Sequence, residues 1–212
     1  MAKDILNQLE KMGVVPVVAI EDAGDVQRLG AALIEGGLPC AEITFRTAAA
    51  EDAIRTMVQS FPDILVGAGT VLTVEQAQAA AGAGAKFVVT PGFDPAVVDW
   101  CLENDLPITP GVMTPTEINM ALNKGLSVLK FFPAEAAGGI KTLKAIGGPY
   151  GGVRFIPTGG INVANLPDYL ALPIVVACGG SWLVKKQLIA DGAFDRIQEL
   201  AAEAVQIVEQ YR

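Results

Sequence analysis

Apolar and polar positions along the chain follow two alternating rhythms. Short runs rich in Val, Ile, Leu and Phe have the length of strands: VVPVVAI (14–20), CAEITF (40–45), LVGAGT (65–70) and FVVTPG (87–92). PITPGV (107–112), VLKFFP (128–133), RFIPTGG (154–160) and IVVACGG (174–180) continue the series. Between them apolar residues recur at helical spacing over 23–36, 48–60, 74–83, 95–104, 115–124, 136–146 and 163–170, and a last helical stretch covers 192–211. Ahead of the first strand, Met1 to Gly13 places Ile5, Leu6, Leu9 and Met12 on one face among charged residues. That predicts a short amphipathic helix and not the apolar core of a signal peptide.

Eight strands, each followed by a helix, argue for an α/β fold with a parallel sheet. The count of eight predicts a single (β/α)8 TIM barrel over residues 1–212 with an additional N-terminal helix; a doubly wound open sheet is the competing arrangement. The longest apolar runs are too short to span a bilayer, so the chain is expected to be soluble and cytoplasmic, with no membrane partner.

Composition removes whole classes of chemistry. The chain is 51% hydrophobic and only 18% charged, enough apolar surface for a large core. Histidine is absent, which excludes Ser-His-Asp and Cys-His couples and His-based metal sites. The three cysteines, Cys40, Cys101 and Cys178, are widely spaced with no CxxC, as in a reducing compartment. The expectation is therefore no metal and no cofactor. A net charge of −8 argues against nucleic acid as a partner, so an anionic small-molecule ligand would need positive charge gathered locally.

Three groups of residues carry candidate chemistry. Of the nine lysines, Lys130 alone sits inside an apolar strand, in SVLKFFPAE, where alternation puts Val128, Lys130 and Phe132 on one face. Apolar surroundings strip solvation from an ammonium and favour the free amine, a nucleophile; a buried lysine paired with a carboxylate is the bland alternative. In AEITFRT, Glu42, Thr44 and Arg46 share a face, whereas Ile43 and Phe45 face the helices; a purely structural Glu42–Arg46 pair remains open. These are the second and sixth strands, and alternate strands supply one interior layer, so Glu42 and Lys130 can meet across the barrel. An amine facing a carboxylate suits imine chemistry with proton shuttling. The third group is TGGIN (158–162) and CGGSWL (178–183), whose Gly159, Gly160, Gly180 and Ser181 follow strands seven and eight. Bare N–H groups there, helped by a helix N-terminus, suit an anion; two tight turns are the alternative. The GxG at 82–84 precedes a strand, where a phosphate loop would open a helix, and is read as a turn.

EITFRT, GAGTVLT, TPGF, LKFFPAE, PTGGI and GGSWL, in this order, closely resemble the 2-keto-3-deoxy-6-phosphogluconate (KDPG) and 4-hydroxy-2-oxoglutarate (KHG) aldolases of class I, over essentially the whole chain. The resemblance implies that Lys130 is the Schiff-base lysine and Glu42 the proton-transferring carboxylate. It implies that Arg46 and Thr70 hold a pyruvate carboxylate, and that Pro91 and Phe132 form the pocket wall. By the same likeness Thr158 bears on stereochemical choice, and Gly159, Gly160 and Ser181 receive phosphate. Phe45 departs from the aliphatic residue common in the family, at a position expected to face the helices. The resemblance further implies a 2-keto-acid or sugar-phosphate substrate and a homotrimer. A galactonate-type aldolase, a phosphate-binding barrel isomerase and a non-catalytic sugar-phosphate-binding barrel are the alternatives.

Overall fold

The computed structural model describes residues 2–212. Helix α1 (Ala2–Met12) precedes eight parallel strands: β1 (Val14–Val18), β2 (Cys40–Thr44), β3 (Leu65–Gly69), β4 (Phe87–Val89), β5 (Ile108–Thr109 and Gly111–Val112), β6 (Val128–Phe131), β7 (Arg154–Pro157) and β8 (Cys178–Gly180). Strand β5 is split because Pro110 has no N–H for the ladder, although its carbonyl still accepts from Lys130 N–H at 3.0 Å. The register runs round a closed ring. Val14 pairs with Cys178, Val17 with Glu42, Glu42 with Gly67, Gly67 with Phe87 and Val88 with Ile108. Gly111 then pairs with Lys130 and Lys130 with Ile156, and a single bridge between Thr158 and Gly179 joins β7 to β8. The fold is the (β/α)8 barrel.

Helices α2 (Val26–Glu35), α3 (Ala50–Ser60), α4 (Val74–Ala83), α5 (Pro95–Glu103), α6 (Pro115–Asn123), α7 (Gly139–Gly147), α8 (Leu166–Leu170), α9 (Lys186–Ala190) and α10 (Phe194–Tyr211) lie outside the strands. Their starts are written in the sequence. Thr73 and Asp94 accept N–H bonds at the heads of α4 and α5, and Thr114 with Glu117 forms a reciprocal cap ahead of α6. Outward strand residues such as Ile43, Val66, Val88, Leu129 and Phe155 pack on helix residues such as Leu29, Ile54, Met57 and Ala80. Phe45 packs against this outer shell too.

Inward residues Val15, Cys40, Leu65, Phe87, Val89, Val128 and Ile156 form a second cluster, which α1 closes from below with Leu9. Burying a side chain such as Leu9 contributes about 1.5–3 kcal/mol, so α1 acts as a stopper for the barrel's N-terminal end. That leaves the opposite end, where strands run into loops, for chemistry. No described helix is long and apolar enough to cross a membrane.

Several sequence boundaries shift: the strands expected over 14–20, 87–92 and 154–160 end at Val18, Val89 and Pro157, and the helices expected over 136–146 and 163–170 start at Gly139 and Leu166. Of 174–180 only Cys178–Gly180 is strand, and Val175 makes one isolated bridge. Beyond β8 the chain makes a single 3-10 turn (Trp182–Val184) and, after an extended Lys185, the short α9. The helix N-terminus expected to assist the anion loops is there that of a single 3-10 turn with Ser181 at its head, not that of an α-helix. After β7, too, α8 begins only at Leu166, well past Gly160.

Candidate active site

At the layer above the inner cluster, β6 points Lys130 inward and β2 points Glu42 at it from across the barrel. The Lys130 Nζ to Glu42 Oε1 distance is 3.6 Å, and both side chains are 3% exposed. Two charges this dry are tolerable only together; removing one partner of such a pair costs about 3–5 kcal/mol. Glu42 Oε1 has no hydrogen bond within the described residues, so it keeps acceptor capacity beside the amine. The ion pair that Glu42 forms is with Lys130; Arg46 instead turns its Nε to Thr70 Oγ1 at 3.3 Å.

Strand β3 makes room for this pair. Gly69 faces Glu42 so closely that a Cβ there would lie 2.2 Å from Glu42 Oε1. Gly67, one layer down, lies under the Phe87 ring in the same way. Below the carboxylate, burial and then the Glu42 charge push the Cys40 thiol well above its usual range, which keeps it neutral. The Thr44 hydroxyl is spent on the Val18 carbonyl at 2.8 Å.

Above the pair, the Phe132 ring centroid stands 5.1 Å from Lys130 Nζ, within cation–π reach. A cavity of about 260 Å³ opens there, lined by Arg46, Phe132, Thr158, Gly159, Gly160 and Ser181. Thr70, whose hydroxyl meets Arg46, has φ +54, a strained setting of the kind that concentrates at functional sites. Pro91 is half-buried with its carbonyl against Gly111, and Pro91, Thr70, Lys130 and Glu42 are not themselves among the residues that line this cavity. Thr158 is 6% exposed and its Oγ1 has no partner within the described residues.

Gly180 does not line this cavity. A Cβ on it would run into the Trp182 ring at 1.8 Å, so its role is to seat that ring. Its neighbour Gly179 lines the cavity in its place and leaves room for the Thr158 hydroxyl, 2.2 Å from where a Cβ would stand. Val17 and Ile161 complete the lining. The sequence reading missed Gly69 and Gly179, although alternation from Glu42 and Thr158 outward through the paired strands marks both as inward.

The loop after β7 is built to present N–H groups. Thr158 O accepts from Ala134 N–H at 2.8 Å and Gly159 O from Glu135 N–H at 3.0 Å. Gly160 O accepts from Asn162 Nδ2 at 3.2 Å and Asn165 Nδ2 at 3.1 Å. With three successive carbonyls held on one side, planar trans peptides turn the N–H groups of Gly159, Gly160 and Ile161 the other way. The Gly159 N–H faces Gly179 across the Thr158–Gly179 bridge, and the N–H groups of Gly160 and Ile161 find no acceptor within the described residues. Gly159 and Gly160 both have positive φ (+101 and +81), a backbone form that glycine adopts without strain.

The comparisons agree with one another. The family model for KDPG and KHG aldolases matches residues 5–200. The 2-dehydro-3-deoxy-phosphogluconate aldolase of Treponema pallidum is 52% identical over 96% of this chain and 97% of its own. The protein of the same name from Haemophilus influenzae is 49% identical over 98% of each. A crystal structure of the KDPG aldolase from Legionella pneumophila, with pyruvate captured as a covalent carbinolamine, superposes with a TM-score of 0.91 at 38% identity, covering 96% of this chain and 98% of that one. With a buried amine and carboxylate facing each other at the C-terminal end of the barrel, this chain belongs to the KDPG and KHG aldolase family.

Proposed function

We propose that this chain is a metal-independent Schiff-base aldolase that cleaves 2-keto-3-deoxy-6-phosphogluconate to pyruvate and glyceraldehyde 3-phosphate, and also splits 4-hydroxy-2-oxoglutarate. The observation that carries the reading is the buried Lys130–Glu42 pair, whose amine lies 5.1 Å from the Phe132 ring, a ring that lines a cavity together with Arg46 and the Gly159–Gly160 loop.

Lys130 Nζ attacks the C2 ketone carbon, giving a carbinolamine. Loss of water leaves a protonated imine, which withdraws electrons from the adjoining carbons. Glu42, directly or through one water, takes the proton of the C4 hydroxyl. The C3–C4 bond then breaks, its electron pair forms an enamine, and glyceraldehyde 3-phosphate departs. Protonated Glu42 returns a proton to C3, and hydrolysis releases pyruvate and the free amine. Positioned acid–base groups of this kind contribute about 10²–10⁴-fold in rate.

Arg46, oriented by Thr70, holds the substrate carboxylate, and Phe132 and Pro91 wall the pyruvyl end. Thr158 faces the C4 hydroxyl. Gly159 and Gly160, with Ser181 opposite, receive the phosphate, and Gly180 serves them through the Trp182 ring it seats. A homotrimer in the cytoplasm is the working form that the family resemblance supports.

Borohydride treatment in the presence of pyruvate tests the mechanism. One covalent adduct is expected, on Lys130, and Lys130→Met is expected to lose both adduct and turnover. An adduct on another lysine overturns the assignment.

A further inference from the structure

Glu135 sits five residues past Lys130, on the carbonyl side of the Gly159–Gly160 loop. Its N–H donates to Gly159 O, and its Cβ and Cγ press on Gly160, where an added Cβ would lie 2.6 and 2.7 Å from them. Its carboxylate is gripped from beneath: the Tyr169 hydroxyl, on α8, donates to Glu135 Oε1. Tyr169 is fully buried, one of the largest side chains in the outer shell. The backbone from Ala134 to Gly139 curls round the same carboxylate, with Gly139 N–H on Ala134 O at 2.9 Å and Gly138 N–H on Glu135 O at 3.1 Å.

We propose that Glu135 and Tyr169 are a positioning pair that fixes the Gly159–Gly160 backbone in its anion-receiving form, and so sets how tightly the phosphate end of a substrate is held. This rests on the assignment of that backbone to phosphate. A carboxylate close to a phosphate site works against the ligand by charge, so direct contact with phosphate is not its part, and Glu135 is not among the residues that line the cavity. Its groups act instead on the loop: its N–H aligns one carbonyl, its stem supports Gly160, and Tyr169 prevents the side chain from swinging out. Burial, then the hydrogen bond and charge of Glu135, raise the Tyr169 pKa above its usual range, so the hydroxyl stays a donor at any working pH. The pair thus ties the strand that carries the nucleophile to the loop that receives the far end of the substrate.

Steady-state kinetics of Glu135→Ala, Glu135→Gln and Tyr169→Phe on both substrates test this, with circular dichroism as a check of folding. Glu135→Ala and Tyr169→Phe are expected to raise KM for the phosphorylated substrate by about 5–30-fold, as for a lost interaction of one or two kcal/mol, with kcat nearly unchanged. KM for 4-hydroxy-2-oxoglutarate, which carries no phosphate, is expected to stay within about twofold. Glu135→Gln, whose amide oxygen still accepts from Tyr169, is expected to restore most of the loss, which a role for the charge itself would not allow. Equal losses on both substrates, or a Gln variant as impaired as the Ala variant, overturn the proposal. Gly160→Ala separates the two levels. If it raises KM for the phosphorylated substrate and Glu135→Ala does not, the positioning role fails alone. If folded Gly160→Ala leaves that KM unchanged, the phosphate assignment fails and the proposal falls with it.

Discussion

Gly69→Ala isolates the placement of the Glu42 carboxylate from its chemistry. The added methyl would stand 2.2 Å from Glu42 Oε1, 2.7 Å from Cγ and 2.8 Å from Cδ. Ordinary contact begins near 3.5 Å, so the carboxylate or the strand must retreat by about 1 Å. Glu42 has little freedom to do so, being 3% exposed between β1 and β3 and paired with Lys130. A misplacement of about 1 Å in a catalytic group costs on the order of 10²-fold. Overpacking costs about 1–3 kcal/mol in stability. The loss of glycine's extra backbone entropy returns about 0.5–1 kcal/mol of that. The fall in Tm should therefore be a few degrees in a chain of this size.

The assay is exchange of pyruvate methyl protons in D2O beside borohydride trapping of the imine. Trapping at Lys130 is expected to persist, because the amine is untouched, whereas exchange falls about 10²-fold. Gly82→Ala in α4 is the control: nothing lies within 4 Å of its Cβ, so it should leave exchange alone and stabilise the helix by up to about 1 kcal/mol. A folded Gly69→Ala variant that exchanges protons at the wild-type rate would refute the reasoning, because the carboxylate's position would not govern proton transfer.

Arg46→Ala is expected to raise KM for both substrates by about 10-fold or more, since both carry the carboxylate, and an effect on one substrate alone would overturn that role. At Glu117 burial favours the neutral acid, but hydrogen bonds from Met113 N–H and from the N–H and hydroxyl of Thr114 outweigh it and hold the carboxyl below its usual 4.5. The stability it adds is therefore full above that value and lost as pH falls through the lower folded value. Glu117→Gln should thus lower stability at pH 7 by roughly a few tenths of a kcal/mol, since the group is largely exposed and screened, with the gap narrowing as pH falls below the usual carboxyl value in thermal melts. Cys40, Cys101 and Cys178 are all buried, and burial pushes the thiols of Cys101 and Cys178 up to about 12; native protein at pH 8 should take no iodoacetamide, and unfolded protein should take three equivalents.

Much of this was legible in the chain because the barrel repeats one rhythm eight times, and because a lysine between Leu129 and Phe131 has no bland surface explanation. The errors have physical causes. Hydrophobicity reports burial, not ladder pairing, so IVVACGG reads as one strand although Val175, Val176 and Ala177 are buried in turns and a lone bridge, the last two in the inner cluster. Loops over the site carry the same Gly, Pro and aromatic residues as the strand ends, which is why RFIPTGG reads two glycines too far. Alternation marks Gly69 and Gly179 as inward, yet only the closed ring shows that a carboxylate and a hydroxyl occupy the space they vacate. Tyr169 and Glu135 lie 34 residues apart, beyond any periodicity.

The charge arithmetic also resolves at close range. A chain at −8 repels anions at a distance, and the groups that would receive an anion here are few: Arg46 and the N–H groups of Gly160 and Ile161. The carboxylates nearest to them are already engaged, Glu42 by Lys130 and Glu135 by Tyr169. Each engagement also aims something, since Lys130 and Glu42 fix each other and Glu135 supports the loop. Oriented dipoles act within a few ångströms, inside the screening length of about 10 Å at ordinary salt, so the field that decides binding is the local one. A net negative chain and an anionic substrate are compatible because the barrel confines recognition to one end, where Glu42 is engaged by Lys130 and Glu135 by Tyr169.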